Sequence, residues 1–403
     1  MNRNGYNLSL VLFILFMCVE GCVEPYEIEA REFDRALVID ARLTDIETAH
    51  YVKLSYTRPI DAIEKDPISG ATVWIENSNG EQIEYKEHTP GLYLSDSSIA
   101  GMPGEVYQLK VTTNDGTKYE STQQLLQVSP PIEEIYVEYA EKPNASNETV
   151  LGGIQFFLNT KGANDGARFF RYEWEETYEV KTSYPSLYEY LWEEDSAIMR
   201  EDQLSVCYAS GQSSSIILGT TIALGSNRLT GQELRYITSR TDQLKYAYSI
   251  LARQYAINAS AYGFYREIVA NNDQGGSLFG EQLGAIIGNI SNPDNPDEVV
   301  LGFFEVSGVS EKRFFIQFSE LDSRFAWPQD KYACSGESVV AINEVDSLVY
   351  YVEGQGYGII RADYCNPNGV SQCPYDFRAE LAPGYCTDCR FRGSAEKPDY
   401  WIY

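Results

Sequence analysis

The stretch Gly70-Ala71-Thr72-Val73-Trp74-Ile75-Glu76, followed by Asn79-Gly80 and then Gln82-Ile83-Glu84-Tyr85, decides the fold class. Branched and aromatic side chains recur with a period of two on both sides of the Asn-Gly pair, as half-buried strands require. Asn-Gly accepts the positive φ values of a tight hairpin turn, so the chain returns antiparallel to itself. The same device recurs downstream, where Tyr107-Gln108-Leu109-Lys110-Val111 meets Asn114-Asp115-Gly116 and returns through Lys118-Tyr119-Glu120. Upstream, Ala36-Leu37-Val38-Ile39-Asp40-Ala41 and Tyr51-Val52-Lys53-Leu54-Ser55-Tyr56 are further strands. About seven short strands in roughly ninety residues predict a β-sandwich over 36–130. Pro130-Pro131 cannot continue a ladder and marks its end.

The second segment, 131–403, is also expected to be β-rich. Phe170, Tyr172 and Trp174 alternate with Arg171, Glu173 and Glu175, which puts three aromatics on one face of a strand and charges on the other. The aromatic face is read as sandwich core, with a carbohydrate-stacking platform as the alternative. Lys245–Ile257, Val299–Val306, Lys312–Phe318 and Ser347–Val352 are predicted as further strands. One helix is expected after Ser260, its cap, because Ala261, Phe264, Tyr265 and Ile268 fall on a single helical face. The acidic insert Tyr184–Asp202 is read either as a second short helix docked by its aromatics or as an exposed loop. In the loop case Tyr188, Tyr190 and Trp192 form a candidate contact surface for a partner or ligand.

The N-terminus carries an address. Met1-Asn2-Arg3-Asn4 leads into the apolar run Leu8–Val19 and stops at Val19-Glu20-Gly21-Cys22, the layout of a lipoprotein signal peptide. The run is shorter than the roughly 20 apolar residues a membrane span needs. On this reading 1–21 is removed and Cys22 becomes an acylated first residue. Residues 22–35 then form a linker, and several buried acyl chains anchor the domain at a membrane surface. Cleavage before Cys18 would instead release a secreted product.

The formal charge of −28 is unchanged by that processing, since Arg3 and Glu20 leave together. Such a surface repels nucleic acid and anionic lipid, leaving neutral, cationic or protein partners. With 43% apolar and 13% aromatic residues the chain is no disordered acidic tail. A mature chain of about 380 residues exceeds what one core usually supports, so two domains are expected.

Beyond the signal lie six cysteines: Cys207, Cys334, Cys365, Cys373, Cys386 and Cys389. In an exported chain an even count reads as up to three disulfides, with fifteen possible connectivities. Four of the six fall after residue 364, so the C-terminus is expected to be stapled. Cys386-Thr387-Asp388-Cys389 also has the spacing of a zinc knuckle or redox dithiol, but neither a second knuckle nor a βαβ context accompanies it.

No catalytic constellation emerges. The two histidines, His50 and His88, lack a neighbouring nucleophile or paired carboxylate. No phosphate loop or nucleophile elbow is present, and no cofactor is implied. Asn292-Pro293-Asp294-Asn295-Pro296-Asp297-Glu298 gathers oxygen donors that fit either calcium or a connecting turn. The 59 acids leave a glycosidase carboxylate pair open, since separations are not readable from sequence.

These landmarks resemble a specific family, the Bacteroidota outer-membrane lipoproteins catalogued as domain of unknown function 4249. The resemblance rests on the cysteine ending at Cys22, Ala36–Asp40, Cys207-Tyr208, Tyr248-Ser249-Ile250 and Gly288-Asn289-Ile290. It continues through Leu301-Gly302-Phe303-Phe304 with Lys312-Arg313-Phe314, then Cys386-x-x-Cys389 and Lys397-Pro398-Asp399-Tyr400-Trp401. The first domain also resembles the Ig-like or carboxypeptidase-regulatory-like sandwiches that accompany outer-membrane transporters. The resemblance implies a non-catalytic accessory lipoprotein working beside a TonB-dependent transporter, without a catalytic residue to carry over. Val23 follows the lipidated cysteine in place of the aspartate that retains lipoproteins at the inner membrane. Glu24, Glu27 and Glu29 resemble acidic signals for the cell exterior. A surface glycosidase and a structural or adhesion protein stand as the alternatives.

Overall fold

A computed structural model describes residues 35–403, except 59–65, 144–148, 162–165, 192, 194–195, 203, 275–285, 330–331, 333 and 365–376. The first module contains β1 (Leu37–Thr44), β2 (Tyr51–Tyr56), β3 (Thr72–Asn77), β4 (Gln82–Thr89), β5 (Leu92–Leu94), β6 (Val106–Thr112), β7 (Lys118–Ser121) and β8 (Gln124–Leu125). Alternation sets its faces: Tyr107, Leu109 and Val111 of β6 point inward, as do Ile39, Ala41 and Leu43 of β1. The Asn79-Gly80 hairpin forms as its residues dictate, with Ile75 opposite Ile83 and Gly80 at φ 83°. β4 joins the two leaves, since its first half pairs with β3 and its second half with β5.

The second module follows with β9 (Ile132–Pro143), β10 (Val150–Thr160), β11 (Phe169–Lys181), β12 (Tyr188–Leu191), β13 (Ser196–Met199), β14 (Val206–Gln212), β15 (Ile217–Thr220), β16 (Leu229–Thr238) and β17 (Ala247–Ile257). After α1 (Ala259–Gln274) come β18 (Ile290–Ser291), β19 (Val300–Gln317), β20 (Val340–Ile342), α2 (Val345–Val349), β21 (Tyr357–Tyr364), β22 (Phe377–Pro383) and α3 (Gly384–Thr387). One leaf, β14-β11-β17 with the second half of β19, faces the three-stranded sheet β16-β10-β9. Between them lie Phe156, Phe170, Tyr172, Trp174, Tyr248 and Ile250. The aromatic stripe of β11 is therefore core.

The expectation of two strands, Val299–Val306 and Lys312–Phe318, is corrected by the eighteen residues of β19. Its first half runs parallel to β1, Leu37 opposite Val300, and its second half runs antiparallel to β17. The polar residues between the two blocks form no turn because both neighbouring strands continue to offer hydrogen-bonding partners. A single sheet thus passes from the first module into the second, and the first core includes Ile290, Val300, Phe304 and Val306 from far along the chain. Gly302 permits the close parallel approach: its φ is 97°, and a Cβ there would sit 2.0 Å from the Ile39 carbonyl oxygen. The diproline is clamped at this junction, where Gln254 Nε2 and Ser310 Oγ both donate to the Pro130 carbonyl, at 2.7 and 2.9 Å.

A third, five-stranded sheet, β13-β12-β21-β22-β20, unites the acidic insert with the C-terminal segment. The insert is a hairpin, where a helix or loop was expected, with Tyr188 opposite Met199 and Tyr190 opposite Ala197. Ser347–Val352, expected as a strand, is instead part of α2 and the π-helical turn Tyr350–Gly354. Leu348 is buried in the third core with Val345, Tyr351 and Val352 around it, a spacing of three to four that only a helix brings to one side. The N-cap of α1 is Asn258, where Ser260 was expected. Asn258 Oδ1 accepts from the Ala261 amide at 2.9 Å, and the Ser260 hydroxyl donates to the same oxygen.

Candidate functional site

The residues singled out in the sequence do not converge. Cys22, Trp192, Cys365 and Cys373 lie outside the described residues. Tyr190 is 9% exposed in the third core and Tyr188 is half-buried beside it, so both rings are spent on packing. Cys386 and Cys389 do not pair with each other: Cys334 is joined to Cys386, and Cys207 to Cys389. The second bridge ties β14 to the C-terminal segment, and the first ties the segment before β20 to α3. His50 is buried, with its Nε2 3.1 Å from the Ile99 carbonyl oxygen, and burial pulls its pKa down. In the 292–298 loop, Asn292 Oδ1 accepts from the amides of Asp294 and Asn295, and Glu298 takes bonds from Asn292 and Tyr119. Those oxygens hold a turn together. Among the described residues no group of three His, Cys, Asp or Glu side chains could hold a metal ion.

The polar face of β11 is the less expected result. Arg171, placed by alternation on a charged outer face, is only 4% exposed and forms a bidentate pair with Glu305 of β19, which is 1% exposed. Both hydrogen bonds are 2.9 Å. Arg42 of β1 reaches Glu305 at 3.5 Å and Glu173 at 3.2 Å, and Tyr255 donates to Glu173 at 2.8 Å. The Arg171 guanidinium lies 4.1 Å from the centre of the Tyr255 ring. Burial alone would raise the Glu305 pKa, but the two guanidiniums prevail and hold it at about 2. Two cations and two anions compensate one another, and α1 packs over this side of the sheet through Tyr262, Phe264 and Tyr265. The cluster is closed to ligand at Arg171 and Glu305, while Arg42 and Glu173 at its edge keep partial exposure. Its work is to lock β1, β11, β17 and β19 together where the two modules meet.

Accessible chemistry lies in the surface clefts. A 630 Å³ cleft on the first module is lined by Glu84, Lys86, Glu87, His88 and Asp96. Two of its carboxylates are engaged by local turns, since Glu87 accepts from the Gly70 amide and Asp96 from the Ser98 amide and hydroxyl, while Glu84 is exposed on β4. A 330 Å³ cleft on the second module differs in kind. It opens at the edge where β11 and β19 end and β17 begins, between Lys181, Tyr246, Phe318, Trp327 and Tyr403. Trp327 stands edge-on to Phe318 with ring centres 4.6 Å apart, and to Tyr246 at 6.4 Å. Lys181 Nζ lies 4.8 Å from the Tyr246 ring centre and Lys245 Nζ 5.7 Å from that of Trp327. The rim adds Gln317, Ser319 and Glu179, whose carboxylate pairs with Lys181 at 2.7 Å.

Trp327 is 56% exposed although the chain carrying it is pinned on both sides. Phe325 is buried in the second core, and the Gln329 amide donates to the Ser239 carbonyl at 2.9 Å. Leaving about half of an indole in water forgoes on the order of 3 kcal/mol of burial. A rigidly held, uncovered aromatic beside hydrogen-bonding groups is the arrangement of a binding surface. Sequence reasoning passed over Trp327, Tyr246 and Tyr403, because they are distant in the chain. The single available signal was a tryptophan next to Pro328, outside any strand pattern.

The described residues form a mainly β protein of three sheets, with a charge cluster where the two modules share one sheet and an aromatic cleft at the end of that sheet. The chain belongs to the family described as domain of unknown function DUF4249, whose model matches residues 23–313. No curated protein matches it. The match ends inside β19, so Phe318, Trp327 and Tyr403 of the cleft lie beyond it. No helix among the described residues is long and apolar enough to cross a membrane.

Proposed function

We propose that this chain is an outer-membrane lipoprotein, held at the cell surface through acylated Cys22, and that it serves as a non-catalytic binding and accessory component of a TonB-dependent transporter in nutrient uptake. The observation that carries the reading is the signal ending Val19-Glu20-Gly21-Cys22, because lipid attachment there confines the protein to a membrane surface. The aromatic cleft supports a binding role. Hydrolysis of a glycoside needs two carboxyl groups across the scissile bond. The residues lining this cleft supply one, Glu179, already neutralised by Lys181.

Two measurements on native membranes test the proposal. Intact-mass analysis of the purified protein is expected to find Cys22 as an acylated first residue. Affinity purification from detergent-solubilised membranes is expected to recover a transporter barrel in stoichiometric amount. An unmodified amino terminus, or a lipoprotein recovered alone, refutes it.

A further inference from the structure

We infer that the cleft between Tyr246, Phe318, Trp327 and Tyr403 binds a neutral saccharide, with the Trp327 indole as its stacking platform. The inference deepens the proposed binding role and rests on it. A pyranose ring presents a face of C–H groups and an equatorial belt of hydroxyls, each both donor and acceptor. The cleft offers the matching surfaces: an exposed indole for the C–H face and a rim of complementary polar groups for the hydroxyls. Gln317 brings an amide, Ser319 and Tyr403 hydroxyls, and Glu179 and Lys181 a carboxylate and an ammonium.

Charge argues for a neutral sugar. The lining holds the paired Glu179 and Lys181 and a second ammonium, Lys245, while Glu320 stands against the Tyr403 hydroxyl, whose pKa burial and that carboxylate raise, so acids and bases around the cleft offset one another. The surrounding protein carries −28, so an anionic ligand would be repelled on approach. The volume, 330 Å³, is at the small end of ligand pockets, which run from about 300 to 1,000 Å³. That suits one short stretch of a glycan lying across the platform. A peptide would want deep apolar pockets for its side chains, which this shallow cleft lacks.

Isothermal titration of the full mature chain with neutral tetrasaccharides of glucan, xylan, mannan and chitin type tests the inference, with uncharged tetrapeptides as the competing class. At least one tetrasaccharide is expected to bind, with affinity falling at least tenfold in Trp327→Ala and largely retained in Trp327→Tyr. Both variants should remain folded, with the melting temperature lowered modestly in Trp327→Ala, which loses the ring contacts with Phe318 and Tyr246, and less in Trp327→Tyr. Saccharide binding unaffected by Trp327→Ala overturns the inference, as does failure of all four tetrasaccharides to bind. Tetrapeptide binding that is lost in Trp327→Ala also overturns it while leaving the cleft a ligand site. Co-purification of the transporter, measured on the same variants, reports on the proposed function separately.

Discussion

Replacing Glu305 by glutamine preserves shape and removes one charge from the buried centre of the cluster, where Glu305 is 1% exposed. Arg171, 4% exposed, and Arg42 would each keep Glu173 alone as a carboxylate partner, so two guanidiniums would share one carboxylate. Removing one partner of a buried ion pair typically costs about 3–5 kcal/mol. The same magnitude follows from protonation, because lowering the pKa from 4.5 to about 2 corresponds to about 3 kcal/mol at about 1.36 kcal/mol per unit. The sign is that of a depressed acid: the stabilisation is fully present above pH 4.5 and is lost as pH falls from there toward 2. Urea unfolding at pH 7 should therefore show Glu305→Gln less stable by about 3 kcal/mol. The difference from the unaltered protein should shrink as pH is lowered through that window. The double variant Arg171→Met with Glu305→Leu should cost much less than the sum of the two single changes, because no charge is left unpaired between them. A loss under about 1 kcal/mol for Glu305→Gln, or strictly additive single changes, would refute the claim that this cluster locks the modules together.

Three further outcomes are expected. Gly302→Ala places a methyl group 2.0 Å from the Ile39 carbonyl at a φ of 97°, so it should break the β1–β19 pairing and abolish soluble expression; Gly104→Ala, with positive φ but open space, is the control and should fold. Peptide mapping under non-reducing conditions should find Cys207 joined to Cys389 and Cys334 to Cys386, and a Cys386–Cys389 peptide would contradict the structure. Asn258→Ala should cost about 1 kcal/mol in thermal or urea unfolding through loss of the α1 cap, whereas Ser260→Ala should cost a few tenths.

Much of the β architecture was legible because it is local. The Asn79-Gly80 turn, the alternation in β1 and β6 and the aromatic stripe of β11 each depend on neighbours within a few residues. Misreadings arose where a local pattern had two physical solutions. Val345, Leu348, Tyr351 and Val352 are branched and aromatic, which favours strand by propensity, yet their spacing suits a helix once a core lies on one side. Tyr188 and Tyr190 alternate with Glu189, a strand pattern that the acidity of the insert obscured.

From its own order of residues, this chain determined that it would be built of short, alternating strands joined by tight turns. Period-two patterning and turn chemistry act over a handful of bonds. What the tertiary structure alone decided is which strands meet. Only folding runs β19 past both modules, buries Arg171 against Glu305 across 134 positions of chain and gathers Lys181, Tyr246, Trp327 and Tyr403 around one cleft. Such pairings are chosen by the burial of whole faces and the compensation of buried charge, quantities that exist only once distant segments are in contact.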